Sequence, residues 1–479
     1  MRLIKRTEVI LIFLVSIILL FSLDFYSRRI LPRVSCDLDS IKARGYLIAL
    51  TDNNSTNYFI YRGEPMGFNY ELLQAYSDHL GIGLEIVTEN DPERAYEILR
   101  EGKADILATG FTNNSLIRKR IRRSLPVYYT PQVLVQRKPD SSQKLSEDSR
   151  EKELVTDVRK LKGKIVYIQK GSPVASHLRV LSGKKGSRII IRESKSDPEK
   201  LIEMVASREA DFTVCDENLS LVNSTYYPDI DVNTIISPSH GHSWGVRKTQ
   251  SWDLLNDMNQ WIRSFRKTRS FAILYAKYFR NSRSEKIVKS DYYALNTGKV
   301  SRWDDIIREY SDSVDWDWRL LASLICQESR FVPDVRSWAG AYGLMQVMPA
   351  TGKTFGIDIK ASPANNIKAG VMYINSLKKI FDPRVPDVNE RYRFILAAYN
   401  AGPGHILDAM RLAEKHGKDP KVWEGNVQEW LLKKSDPEFY KDTVVKNGFF
   451  RGNESVAFVD EILERYEHYK NIIPSGNTQ

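Results

Sequence analysis

The sequence predicts a multidomain chain in which an α/β module is followed by an all-α module, and three observations carry that prediction. At 479 residues the chain exceeds what one hydrophobic core ordinarily organises. From about residue 37 to 285, short apolar runs alternate with amphipathic helical stretches. From 286 to 479, helical periodicity continues with no strand series and no repeat of solenoid period. A composition of 42% hydrophobic and 27% charged residues is that of a globular chain rather than a disordered one.

The amino terminus is read as a targeting element. Residues 9–23 form an apolar run behind Arg2, Lys5 and Arg6, the layout of a secretory h-region after a positive n-region. Residues 1–35 are therefore expected to be a signal peptide or an N-terminal membrane anchor. No small-x-small cleavage site follows, so both readings stay open. A lipoprotein reading of Cys36 is disfavoured, because Arg33 occupies the place of the lipobox leucine.

In the α/β module, expected over residues 37–285, the strand candidates are Tyr46–Leu50, Leu84–Val87, Ile106–Thr109 and Ile165–Ile168. The charged, serine-rich stretch Lys138–Asp157 reads as an exposed excursion between lobes. Charge is unevenly spread: residues 301–479 hold 24 Lys+Arg against 25 Asp+Glu, leaving 47 against 35 for residues 1–300. That basic excess suits encounter with anionic wall polymer or phospholipid. Nucleic acid is not the expected partner, because the basic residues are scattered and no aromatic-basic recognition motif occurs. The cysteines Cys36, Cys215 and Cys326 are too few for a disulfide framework. No cofactor and no metal are expected, since the seven histidines are read as forming no ligand-spaced pair.

In the all-α module, expected over residues 286–479, Trp318, Leu321, Leu324 and Ile325 recur at helical spacing and place Glu328 on the apolar side of a helix. Burial raises the pKa of a carboxyl group, so Glu328 is the candidate general acid. Glycosidases ordinarily use two carboxylates, and no motif places a second. Asp334, beyond Pro333, reads as a turn residue. Ser329 and Gln346 are candidates to hydrogen-bond the glutamate or substrate, and Gly343 closes a turn that lets backbone approach a sugar. Met345 lines a pocket or the core, and Tyr399 with Asn400 sets a phenol and an amide over the cleft.

Glu328-Ser329, Phe331, Pro333, Ser337, Gly340-Ala341, Gly343-Leu344-Met345-Gln346, Met348-Pro349 and Thr351 keep the spacing of the soluble, goose-lysozyme-like lytic transglycosylases, and the module resembles that family. The resemblance continues in Asn366-Ile367, Ala369-Gly370, Tyr373-Ile374 and Ala397–Gly402, and at Glu454-Ser455 with Phe458-Val459, where the family usually has tyrosine for Phe458. It implies a lysozyme-like fold, peptidoglycan glycan strands as substrate, and cleavage in which the substrate supplies its own nucleophiles. Ile41-Lys42, Arg44-Gly45, Thr56–Phe59, Gly67–Leu72, Gly102–Asp105, Pro126, Gly163-Lys164 and Gly171-Ser172 resemble the periplasmic solute-binding proteins that take amino acids. That implies a two-lobed periplasmic-binding-protein-like domain whose ligand is a muropeptide or an amino acid, with Thr112, Arg118 and Asp216 as the ligand-binding candidates. The arginine's family position holds Ile117, with Arg118 one place late.

The order of the two modules resembles the F type of membrane-bound lytic murein transglycosylases. It implies a periplasmic, membrane-associated protein held through its N-terminus, at the outer membrane or by an inner-membrane anchor. A hydrolytic muramidase and a non-catalytic glycan or peptide receptor stand as the alternative readings.

Overall fold

The computed structural model describes residues 37–139, 154–182, 189–249, 251–280, 290 and 293–473. The targeting segment 1–35, Cys36, most of the 138–157 excursion and the 285/286 module boundary lie outside the described residues. Among the described residues, no helix is long and apolar enough to cross a membrane.

The α/β part contains β1 (Tyr46–Thr51), β2 (Phe59–Tyr61), β3 (Glu64–Met66), β4 (Gly83–Thr88), β5 (Ile106–Ala108), β6 (Arg122–Arg137), β7 (Ile165–Gln169), β8 (Ile190–Ser194), β9 (Phe212–Asp216) and β10 (Ile230–Val246). Eight of them form one sheet in the order β4-β1-β5-β10-β6-β9-β7-β8. β1 lies parallel between β4 and β5, which explains its nearly unbroken apolar run: a strand enclosed on both sides and covered on both faces has no polar face to show. β6 and β10 are the longest strands and pair antiparallel with each other. β10 also meets β5, while β6 also meets β9. The pair therefore runs through both halves of the sheet and makes two lobes of it.

The lobes touch across the cleft between them. Asp197-Pro198 starts the helix Pro198–Ala206, with the Asp197 side chain capping Lys200 N and proline in the first turn, where its missing N–H costs nothing. The next residue, Glu199, accepts hydrogen bonds from the N–H of Ser55 at 3.0 Å and from the hydroxyl of Ser55 in the other lobe. Ser115 N donates to Gly171 O at 2.9 Å and Asn114 Nδ2 to Lys170 O at 2.8 Å.

The C-terminal part is helical throughout, around a core that includes Leu320, Leu324, Leu344, Ile374, Phe394 and Leu431. A buried ion pair between Lys434 and Asp408, 2.6 Å apart, ties two of its segments.

The hairpin of β2 and β3 joins the two parts. Its turn, Arg62-Gly63, has positive φ at both residues, the geometry of a tight hairpin. Gly63 O accepts a hydrogen bond from Tyr469 Oη at 2.9 Å. A side chain at Gly63 would strike Phe331, Tyr469 and Cys326, and Ile60 belongs to the core of the helical part. The last helix, Asn453–Ile472, completes the joint: His468 Nδ1 lies 2.8 Å from Tyr58 Oη, and Asn471 Nδ2 donates to Ile86 O at 2.7 Å.

Candidate active site

The helix Trp318–Ser329 is capped by Asp317, whose side chain accepts from Arg319 N, and it buries Leu320, Leu321, Leu324 and Ile325 completely. It ends where Arg330 enters the left-handed region at φ 50°, followed by Phe331 at φ 62°. This stop leaves Glu328 in the last turn, partly buried. Burial pushes its carboxyl up from the ordinary carboxylate range to about 8, and no neighbouring charge contributes to the shift. Among the described residues no hydrogen bond or ion pair reaches that carboxyl.

The helix gives way to the loop from Phe331 to Met348. Gly343 sits at φ 84°, and a Cβ there would meet the Asn366 amide at 2.3 Å, so only glycine fits. Asn366 fastens the loop, accepting from Met345 N at 2.8 Å and donating to Tyr342 O at 2.8 Å. Gln346 spends its amide hydrogens on Val335 O and Gly343 O, at 3.0 and 2.9 Å. Tyr399 Oη donates to Met345 O at 2.7 Å, and its ring lies 5.3 Å from that of Tyr373. Burial, then the charge of Glu328, raises the Tyr399 phenol well above its ordinary value.

Several expected roles need correction. Ser329 is buried and donates to Ile325 O at 3.2 Å, so its hydroxyl is spent on its own helix and not on the glutamate. Met345 is fully buried, with its thioether against Gly370, so it packs the core instead of lining a pocket. Gln346 is a loop fastener through its nitrogen. Asn400 is exposed, and its Oδ1 accepts from Ser455 Oγ at 2.5 Å, joining the Ala397–Gly402 motif to the Glu454-Ser455 motif. Phe458 is buried in the same helix and packs as apolar core. Asp334 is exposed and accepts from Tyr342 Oη at 3.0 Å. Sequence reasoning missed Asn366 and Tyr373 as parts of the site, although both stand in motifs it singled out.

The interlobe cleft of the α/β part is a concavity of about 950 Å³, its open mouth included. Of the three ligand candidates, only Asp216 lines it. Thr112 is fully buried and donates to Ser243 O at 2.6 Å, so its hydroxyl does not face a ligand. Arg118 is exposed and lines an adjoining concavity with Arg123 and His177, which shares Asn113, Gln132, Pro173 and His240 with the cleft, while Ile117 packs in the core. The cleft lining holds Asp52, Glu199 and Asp216 and, among the described residues, no lysine or arginine. Burial raises Asp52 to about 7 and moves Glu199 upward. Burial also works against ionisation of Asp216, but His242 and His240 outweigh it and hold that carboxyl below its usual range. The histidines correct another expectation: His240 and His242 alternate on β10 and converge on Asp216, so a ligand-spaced pair does exist.

Residues 305–422 match the family described as Transglycosylase SLT domain, and residues 47–281 match the bacterial extracellular solute-binding proteins, family 3. Among solved structures, the chain is similar to an ancestral arginine-binding protein bound to arginine (22% identity, TM-score 0.41, covering 49% of this chain and 99% of that one). It is also similar to the solute receptor for L-cysteine of Neisseria gonorrhoeae (18% identity, TM-score 0.42, covering 50% and 93%). Over nearly its whole length it is similar to the membrane-bound lytic murein transglycosylase F of Aeromonas hydrophila, with 28% identity over 95% of this chain and 87% of the relative. The protein of that name from Desulfosudis oleivorans is 31% identical over 93% of this chain and 94% of its own length. With both modules present in this order and matched over 93% of its length, the chain belongs to the membrane-bound lytic murein transglycosylase F family, periplasmic, membrane-associated enzymes that cleave the glycan strands of peptidoglycan.

Proposed function

We propose that Glu328 is the single acid and base of this enzyme, cleaving the β-1,4 bond between N-acetylmuramic acid and N-acetylglucosamine without water. The observation that carries the reading is a carboxyl group raised to about 8 by desolvation alone. A group with that pKa holds its proton at neutral pH, as the acid step requires. A retaining or inverting glycosidase needs a second carboxylate within about 5–10 Å, and none perturbs Glu328. In the proposed sequence Glu328 gives its proton to the leaving glycosidic oxygen as the C1–O bond breaks. The 2-acetamido oxygen of the muramyl residue stabilises the electron-poor C1. The Glu328 carboxylate then takes the proton of the C6 hydroxyl, O6 bonds to C1, and a 1,6-anhydro ring closes with Glu328 reprotonated. Tyr399, held against Met345 O, and the loop fastened by Asn366 give the sugar a rigid wall.

The test is mass spectrometry of muropeptides released from purified sacculi. Products one water lighter than hydrolytic ones are expected, and Glu328→Gln is expected to lower turnover by roughly 10²–10⁴ while retaining the fold. A variant keeping more than about a tenth of wild-type turnover, or products of hydrolytic mass, refutes the assignment.

The α/β module is proposed to regulate this site by binding a peptide-bearing wall fragment in its cleft. The hairpin supports the reading, because its Gly63 turn rests against Cys326 and Phe331, which flank Glu328 in sequence.

A further inference from the structure

The interlobe cleft holds a side-chain cluster that glycan cleavage does not use. Asp216 ends β9, and β6 separates it from β10, with Gln132 of β6 opposite Asp216, Thr130 opposite His240 and Tyr128 opposite His242. Residues two apart on a strand share a face, so both imidazoles turn to the carboxylate. The Asp216 oxygens lie 3.4 Å from His240 Nε2 and 3.0 Å from His242 Nε2. One ligand atom from each of the three residues lies within 4.8 Å of the others. A tetrahedral ion with bonds of about 2.0–2.1 Å sets its ligands about 3.3–3.4 Å apart; each imidazole lies near that distance from its own carboxylate oxygen, His240 from Oδ1 and His242 from Oδ2, so the carboxylate spans the two rings at about ligand spacing.

The surroundings favour a cation at this point. His242 is 3% exposed, and neither of its ring nitrogens makes a hydrogen bond of good geometry, although Nε2 lies 3.0 Å from Asp216 Oδ2. Asp216 Oδ1, 3.4 Å from His240 Nε2, is likewise in no hydrogen bond of good geometry. The Tyr128 ring lies parallel to His242 at 4.6 Å and fixes the plane of the imidazole. Asp52 and Glu199 also line the cleft and, among the described residues, no lysine or arginine does, so its carboxylates face no fixed protein cation.

We propose that Asp216, His240 and His242 form a binding site for a divalent transition ion of the zinc class, with the remaining coordination position open to the cleft. Two imidazoles and a carboxylate suit Zn²⁺ and its first-row neighbours, whereas Ca²⁺ and Mg²⁺ take oxygen ligands. Three protein ligands and an open position are the arrangement by which zinc receives an exogenous group. The ion supplies the positive charge that the displaced Arg118 does not bring to this cleft. Because β10 runs through both lobes and Asp216 stands at the head of the helix Glu217–Tyr226, the ion also braces the floor on which the lobes meet.

The test uses the tag-free full chain in detergent, stripped with a chelator, and Zn²⁺ alone as the probe in calorimetry. One ion per chain is expected, with Co²⁺ substitution giving the visible absorption of a nitrogen- and oxygen-ligated ion. The double variant His240→Ala/His242→Ala, and separately Asp216→Asn, are expected to weaken binding by more than the roughly 10–100-fold that outer-shell changes cause. Thermal unfolding of the stripped forms checks that each variant folds. Wild-type protein that binds no Zn²⁺ and gives no Co²⁺ spectrum overturns the proposal whatever the variants do. So does binding that is equally tight in the double variant, or a simple diamine binding here where Zn²⁺ does not. The readout is ion binding only, so failure leaves the assignment of Glu328 untouched.

Discussion

Glu328 couples protonation to both rate and stability, and the two can be separated. Its carboxyl is raised from the ordinary 4.5 to about 8, so the acid form prevails below about pH 8, and cleavage is expected to decline as pH rises through that value. For stability, a pKa raised by folding means that the native state keeps a proton the unfolded chain has lost. The associated stabilisation is fully present below about 4.5 and is lost as pH rises toward 8, a few kcal/mol in all. Glutamine does not titrate. Glu328→Gln is therefore expected to gain stability over wild type progressively across that window, measured as the difference in unfolding temperature at pH 5 and pH 8; an unchanging difference would mean that the carboxyl is not desolvated. The position of this residue was legible in sequence, because an apolar helical stripe fixes which face a side chain takes. The roles of Ser329 and Met345 were not: a hydroxyl that can bond its own helix four residues back, or a thioether beside a glycine, is assigned only by packing.

Among the elements, parallel strands were easy to read and long antiparallel ones were not. β1, β5 and β7 are compact apolar runs because they are enclosed between neighbouring strands, while β4, at the sheet edge, shows the alternation of a half-buried strand. β10 passes through register shifts between Asp231 and Thr234, Ile235 and Ser237, and Ser237 and His240, and these bulges break the period of two that reveals a strand. The same irregularity hid His240 and His242, whose spacing means convergence only once they are known to lie on a strand. The hairpin turn gives an element-scale prediction. Gly63 has φ 79°, and a Cβ there would come within 2.7 Å of Phe331, so Gly63→Ala is expected to cost about 1–3 kcal/mol and to reduce cleavage through the displaced Phe331. Thermal unfolding and sacculus assays measure the two effects. A second prediction concerns Asp408, which holds Lys434 at 2.6 Å and accepts from Lys446 N and Asn447 N. Both partner side chains are fully buried, so Asp408→Ala leaves an uncompensated ammonium and is expected to destabilise by about 3–5 kcal/mol in denaturant titration. A loss under about 1 kcal/mol would mean that water reaches the pair.

At the scale of the whole molecule, the cleft and the glycan site are joined by a short stretch of chain. Glu199 of one lobe holds Ser55 of the other; three residues on, Tyr58 meets His468 of the last helix; next comes the hairpin whose turn rests on Cys326 and Phe331. We propose that opening the cleft releases Ser55 and loosens the base of that hairpin, so that a ligand favouring closure also favours one setting of the helix bearing Glu328. For this coupling to be allosteric the ligand must bind the two states unequally, and about 1–3 kcal/mol of difference changes activity by roughly 5–150-fold. Muramyl peptides titrated by calorimetry and then added to a sacculus assay are expected to bind and to shift the cleavage rate within that range. Ser55→Ala removes the hydroxyl contact with Glu199 without touching the glycan site, so it is expected to retain basal cleavage and to shrink the response. Peptide binding with no change in rate would reduce the module to a tether. A response undiminished in Ser55→Ala would route the coupling through Asn114 and Ser115 instead, the other places where the lobes meet.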